Sequence, residues 1–182
     1  MAVRVCPWWL AYTFDNPLRR LVHNPGKILS PYLEEGMTVL DTGCGMGFFS
    51  IAMAHLVGSG GKVIAVDVQL QILEVLKKRA EKAGVSERIV TVCCEQNKLS
   101  VSKKADFALA FYMVHEVPDK GILFRQVISC LKPGARFFLV EPWVHVSRSA
   151  FKRTVEIARA AGLVSAGSAR VRFGHAQLFT SP

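Results

Sequence analysis

The sequence predicts an α/β fold, a mostly parallel sheet with helices on both faces, and three observations predict it. From Met37 onward, short β-rich runs alternate with helical patterns, the order that builds βαβ units with right-handed crossovers. Runs such as KVIAVDV and ADFALAFY are apolar almost throughout, as strands are when helices cover both faces of the sheet. The first β-rich run, starting at Met37, reaches Asp41 and passes into three alternate glycines, VLDTGCGMGFFS, where a helix is due to begin.

Met37–Thr42 reads as the first strand and Gly47–Leu56 as the helix after it. Lys62–Val68 is the second strand. Leu70, Leu73, Leu76, Lys77 and Ala80 recur at helical spacing, so Gln69–Ala83 is an amphipathic helix closed by Gly84. Arg88–Cys94 and Ala105–Tyr112 are two further strands. Asp119 stands where it can cap a helix through Leu131, and the turn Lys132-Pro133-Gly134 separates that helix from a strand at Arg136–Val140. A helix near Ser149–Ala161 follows. Ser168–Phe173 and His175–Thr180, split by Gly174, read as a closing hairpin. Residues 1–36 differ in character, rich in aromatics and carrying four prolines between Cys6 and Leu33. They read as a cap, helical in pieces, over the sheet edge, with Trp8, Trp9, Tyr12 and Phe14 as packing residues rather than substrate contacts. The expected organisation is one domain over 1–182, this cap followed by the core 37–182.

A chain of 182 residues, 51% hydrophobic and 20% charged, is long enough to bury a core as one unit. Its longest unbroken apolar run, Phe107–Val114, is too short to cross a bilayer. The start holds Arg4 and no apolar stretch ending in a cleavage site, so the expected location is the cytoplasm. Five cysteines (Cys6, Cys44, Cys93, Cys94, Cys130) are scattered with no CxxC pair; neither structural zinc nor a disulfide scaffold is expected, and no metal site. Most of these thiols read as small buried apolar groups. The net charge of +9 comes partly from Lys77-Lys78-Arg79 with Lys82, and partly from the tail, where six basic residues from Arg148 to Arg172 meet one acid, Glu156. A solvated basic face is one reading; attraction to an anionic substrate, nucleic acid or membrane surface is the other. Aromatics are not interleaved with these residues as on a base-stacking platform, so nucleic acid is the lesser reading.

In an open parallel sheet, ligands bind beyond the carboxyl ends of the strands, where the strand order reverses. Gly43, Gly45 and Gly47 let the backbone turn sharply there and approach a ligand with no Cβ in the way. Asp67 ends the second strand 20 residues after Gly47, where an acid accepts hydrogen bonds from both hydroxyls of an unphosphorylated ribose. Glu95, followed by Gln96 and Asn97, ends the third strand and suits polar contacts to a purine edge. Asp41 repels a pyrophosphate but favours a ligand carrying an ammonium group and a positive sulfur. A dinucleotide fingerprint needs Gly or Ala at position 48, and Phe48 stands there; the pattern is D-x-G-x-G-x-G.

At these residues the chain resembles the class I methyltransferases that use S-adenosylmethionine. VLDTGCGMGFFSIAMA resembles their first motif, VIAVDV the second, and TVCCEQNKL the third, with Glu95 where Asp is common. ADFALAFYMVHEVPD resembles the fourth, and LKPGARFFLVEP the segment after it. The likeness runs over roughly residues 25 to 182, closest to the small-molecule branch that includes quinone-biosynthesis and arsenite methyltransferases. It implies a Rossmann-like methyltransferase fold, a seven-stranded sheet ordered 3-2-1-4-5-7-6 with strand 7 antiparallel. It also implies S-adenosylmethionine as cofactor and S-adenosylhomocysteine as product. Carried over by position, Gly43, Gly45 and Gly47 approach the methionine part, Asp67 holds the ribose and Val68 lies against the adenine. Glu95 and Gln96 stand near the adenine edge, and the backbone around Ala110 and Phe111 faces the amino-acid end. Cys44 reads as packing in the turn.

Methyl transfer from a sulfonium is an in-line displacement in which holding the acceptor close supplies much of the catalysis. A base is needed only if the acceptor must lose a proton. His115, Glu116, Glu141, Trp143 and His145 follow strand ends on the ligand side. His115 is the candidate base, its ordinary pKa lying near neutrality, against the plain reading that VHEV starts a helix. Glu141 either orients an acceptor or closes its strand. The segment AFYMVHEV lacks the N/D-P-P-Y/F box of enzymes that methylate amino groups in DNA adenine or protein glutamine, and no Pro-Cys nucleophile follows the fourth strand. The scattered thiols do not reproduce an arsenite site. The leading expectation is a small or medium organic acceptor. Competing ones are an RNA acceptor, a binding module without an acceptor and, most remote, a nicotinamide dehydrogenase. The aromatic N-terminus acts as a lid, or an open pocket is completed in a homodimer.

Overall fold

A short helix α1 (Pro25–Leu29) leads into β1 (Thr38–Thr42), α2 (Phe48–Leu56), β2 (Lys62–Asp67), α3 (Leu70–Lys82) and β3 (Ile89–Cys93). Then come β4 (Ala105–Phe111), α4 (Lys120–Cys130), β5 (Leu131–Pro142), α5 (Arg148–Ala160), β6 (Val164–Gly167) and β7 (Gly174–Thr180). This is a computed structural model, and it describes residues 22–182. Cys6 and the expected aromatic cap residues Trp8, Trp9, Tyr12 and Phe14 lie outside the described residues.

The strands form one seven-stranded sheet in the order β3-β2-β1-β4-β5-β7-β6. β1 through β5 pair in parallel, and β7 runs antiparallel between β5 and β6. Successive side chains of a strand point to opposite faces, and the core divides accordingly. Val39, Phe107, Leu109, Phe111, Phe138 and Val140 pack with α1 and α2. Leu40, Ala108, Ala110, Phe137 and Leu139 pack with α4 and α5. Both sets are almost wholly buried, so the unbroken apolar runs of the sequence are explained by two covered faces. Helix starts follow the capping chemistry: the Asp119 carboxylate accepts from Ile122 N at 2.9 Å, and the Ser147 hydroxyl from Ala150 N at 3.2 Å. Among the described residues, no helix is long and apolar enough to cross a membrane.

Three expectations need correction. Lys132-Pro133-Gly134 does not precede the fifth strand but belongs to it. Leu131 pairs with Ala105, the register then shifts, and regular pairing resumes at Arg136 with Phe107. The tripeptide bulges outward with Gly134 at φ 73°, as proline without an N–H requires of a strand. The closing hairpin uses Val164–Gly167 as its first strand, not Ser168–Phe173. Left-handed residues at both ends of the latter stretch, Gly167 (φ 120°) and Phe173 (φ 59°), break its pairing, despite its alternating pattern. Lastly, Cys93 is exposed, because β3 is an edge strand, while Cys44 and Cys130 are buried.

Gly47 caps α2 in the left-handed conformation, φ 86° and ψ 22°. A Cβ there would overlap Leu76 Cδ1 of α3. Gly47→Ala is therefore expected to lower stability by about 1–2 kcal/mol, the cost of a left-handed L-residue, plus whatever Leu76 gives up in moving. Denaturant unfolding measures it, and an unchanged midpoint would contradict this packing.

Candidate functional site

The sheet order reverses at β1, which has β2 on one side and β4 on the other, and the carboxyl ends of these strands meet a cavity of about 910 Å³. The three glycines serve it in different ways. A Cβ on Gly45 (φ 53°) would meet no protein atom within 4 Å, and Gly45 lines the cavity, so that backbone lies open to a ligand. A Cβ on Gly43 (φ 64°) would come within 2.9 Å of Met113 Cβ; its absence lets the turn after β4 nest against the loop. Gly47 does not line the cavity, and its place is set by Leu76.

Asp67 holds this loop in position. One carboxylate oxygen accepts from Gly45 N at 3.1 Å and the other from Gln69 N at 3.0 Å. Burial pushes its carboxyl above the ordinary range, and the amides of Gln69, Gly45 and Val68 pull against that shift without cancelling it. Asp41 is buried at the end of β1 and accepts from the Ser50 hydroxyl of α2 at 2.5 Å. Cys94 also lines the cavity. Burial, then the charge of Asp67, pushes its thiol up to about 11, which keeps it protonated and unreactive near neutral pH.

Four carboxylates (Asp41, Asp67, Glu95, Glu116) line the cavity against one lysine, Lys98. The chain carries +9 overall, yet this interior is acidic. It suits a cationic ligand and disfavours an anionic one.

At the other end of the cavity stands a histidine–carboxylate pair. Beyond β4, Val114–Glu116 forms a single 3-10 turn. Glu141, 1% exposed, accepts from Val114 N at 2.9 Å and His115 N at 3.1 Å. The same carboxylate lies 2.7 Å from His115 Nδ1. A carboxylate only accepts, so Nδ1 carries a proton, and when the ring is neutral Nε2 holds the lone pair. Burial, the largest influence on His115, lowers its pKa. The hydrogen bond and charge of Glu141, helped by Glu116, outweigh burial and raise it. His145 lies parallel to the His115 ring, 6.0 Å between centroids and 15° between planes.

The structure thus brings Asp41, Gly43, Gly45, Asp67, Val68, Glu95, Gln96, Phe111, His115, Glu116 and His145 around one cavity. Gly47, Ala110, Glu141 and Trp143 lie outside its lining. Glu141 reaches it only through His115. Sequence reasoning missed Ser50, Tyr112 and the buried His23, which also lines the cavity. Ser50 carries no spacing signal, and His23 arrives from before α1 through tertiary packing alone. Among the described residues, no group of three or more His, Cys, Asp or Glu is arranged to hold a metal ion.

Comparison with known proteins agrees with this architecture. A methyltransferase-domain family model matches residues 33–166. The ubiquinone biosynthesis O-methyltransferase of Xanthomonas axonopodis pv. citri is 33% identical over 135 residues, covering 72% of this chain and 54% of that protein. The protein of the same description from Proteus mirabilis is 28% identical over 137 residues, covering 72% and 53%. The chain spans about half the length of these relatives. A SAM-dependent methyltransferase structure from Aquifex aeolicus superposes with a TM-score of 0.89 at 23% identity, covering 98% of this chain and 100% of that one. A structure described as a putative S-adenosyl-L-methionine-dependent methyltransferase from Methanococcus maripaludis gives 0.79 at 17% identity, covering 100% and 97%.

Proposed function

The chain belongs to the class I S-adenosylmethionine-dependent methyltransferases, and from that premise we propose that it methylates a hydroxyl oxygen of a small organic acceptor, with His115 as general base. The observation that carries this reading is the 2.7 Å contact between His115 Nδ1 and the buried Glu141 at the cavity wall. The O-methyltransferase descriptions of the relatives support it.

The fit to the cofactor is supported by the open backbone face of Gly45 and by the buried, cavity-lining carboxylate of Asp67. Asp67 would accept from the ribose hydroxyls, Val68 would cover one adenine face, and Glu95 and Gln96 would meet its edge. Gly43 and Gly45, with Phe111, would border the methionine part, while Gly47 and Ala110 support this end from outside the lining. When bound, S-adenosylmethionine supplies an electrophilic methyl group on a positively charged sulfur.

On the acceptor side, Nε2 of His115 has the lone pair needed to take a hydroxyl proton, because Nδ1 is occupied by Glu141. The imidazolium that results is stabilised by the Glu141 carboxylate behind it, with Glu116 Oε1 3.9 Å from Nε2. Phe49, Phe111, Met113 and Leu123 also line the cavity. Their apolar surfaces exclude water and strengthen these charge interactions. The location remains the cytoplasm in this proposal, on the sequence alone.

The base works only when neutral, so kcat/KM is expected to fall as pH drops through a His115 pKa above the ordinary value of about 6.5. Glu141→Gln removes the charge that raises that pKa. It should move this acidic limb to lower pH while reducing the plateau rate. A limb left in place would separate the two residues.

The proposal is tested by incubating the protein with labelled S-adenosylmethionine and a panel of hydroxyl-bearing small molecules, following transferred label. Saturable cofactor binding with no transfer to any hydroxyl acceptor would turn the reading toward a binding module. Transfer to RNA, with an affinity falling steeply with salt as counterion release demands, would replace the small-molecule acceptor.

A further inference from the structure

Among the described residues, three that are not glycine hold a left-handed backbone: Ser100, Tyr112 and Phe173, at φ 55°, 61° and 59°. Two of them are bonded to each other. The Tyr112 hydroxyl donates to the Phe173 carbonyl at 3.0 Å, and both residues line the cavity. Bulky L-residues avoid this region, and a fold keeps them there only where the surroundings over-determine it.

Tyr112 is where β4 stops. Its N–H still donates to Val140 O at 2.8 Å, one step past the last pair, Phe111 with Val140. The left-handed bend then takes the chain away from the strand direction. In consequence the Val114 amide, the His115 amide and the His115 ring all converge on Glu141, the next residue of β5. A straight continuation would have laid backbone beside Glu141 and carried position 115 past it.

We propose that Tyr112 is a positioning residue for the His115–Glu141 pair, its hydroxyl tied to the β6–β7 loop so as to hold the bend that aims His115 at Glu141. This rests on the reading of His115 as the base.

The tie is reinforced from a third part of the chain. His23 Nε2 lies 2.7 Å from the Arg172 carbonyl and 3.2 Å from the Tyr112 hydroxyl. A carbonyl only accepts, so Nε2 is protonated. The His23 ring stands edge-on to Phe111 and Tyr112, at 5.4 and 5.5 Å. From the opposite side, the missing Cβ of Gly43 gives Met113 its place in the turn. The β6–β7 loop at the cavity mouth is thereby coupled to the orientation of the base. The groups that set the charge on His115 are Glu141 from β5, Glu116 from its own turn and Lys120 at the start of α4, with the His145 ring stacked against it from the segment after β5.

The test is Tyr112→Phe in the full chain, with the His115 titration followed by NMR alongside the pH profile of transfer. Phenylalanine keeps the ring packing and loses the hydroxyl, with its bond to the Phe173 carbonyl and its contact with His23. The expected result is a His115 midpoint lower by roughly half a unit or more and a kcat lower by about 10- to 100-fold, with cofactor affinity unchanged. Tyr112→Gly and Tyr112→Ala supply the second comparison. Glycine adopts the bend without strain, so it should keep the His115 midpoint nearer the original than alanine does, the reverse of the order that side-chain packing gives. A wild-type midpoint in Tyr112→Phe, or alanine surpassing glycine, overturns the proposal. If Tyr112→Phe lowers the midpoint but the transfer profile ignores it, the positioning role stands and the assignment of the base fails.

Discussion

Replacing His115 by alanine is expected to lower kcat for methyl transfer by about 10²- to 10⁴-fold, the range a positioned general base contributes, with cofactor affinity unchanged. The separation of the two effects follows from the layout of the cavity. Asp67 and Gly45 stand at the ends of β2 and β1, whereas His115 stands beyond β4, backed by β5. Removing the imidazole leaves the carboxylate of Glu141 buried with two amides still donating to it, so the turn keeps much of its shape. Single-turnover rates with saturating cofactor read the loss directly. An alanine variant that transfers methyl groups at the original rate would show that holding the acceptor in place suffices, and would leave the pair with an architectural role alone.

Asp67→Ala is expected to weaken cofactor binding by about 2–3 kcal/mol, roughly 30- to 150-fold, the scale of losing hydrogen bonds to a charged acceptor. Two losses combine. In the proposed binding mode the ribose hydroxyls would forfeit their acceptor, and the Gly45 and Gln69 amides forfeit theirs, so the glycine loop loosens where its bare backbone is needed. Asp67→Asn, which keeps a carbonyl oxygen for one of the amides, should fall between alanine and the original. Calorimetry with S-adenosylhomocysteine measures all three. Equal affinities across the series would remove Asp67 from the ribose and refer its two contacts to the fold.

The glycine-loop end of the cavity was legible in the chain because the chemistry expected there constrains backbone. A close approach needs Gly45, an unphosphorylated ribose needs an acid at the end of the second strand, and both leave marks at fixed spacing. The order of elements was readable for a similar reason: covered strands such as KVIAVDV advertise their burial. The acceptor end left no such mark. His115 and Glu141 were each visible as candidates, but what joins them is the register of β4 against β5 across a helical crossover, and no local pattern encodes it. Tyr112 was invisible, since a left-handed tyrosine is imposed by its neighbours against its own preference. The same physics misled the reading of the hairpin. Ser168–Phe173 alternates as a strand should, yet the conformations at Gly167 and Phe173 keep it out of the ladder with β7 and leave it an isolated bridge, Val171 with Gly174.

The early end of β6 has a bearing on self-association. All four of its residues are exposed, and it forms one outer edge of the sheet. Unpaired amides on such an edge invite a strand from another molecule, but so short a segment, twisted off by Gly167, presents too few of them to template a ribbon. Had the chain stayed extended to Phe173, that margin would have more than doubled in length and become a seam for runaway assembly.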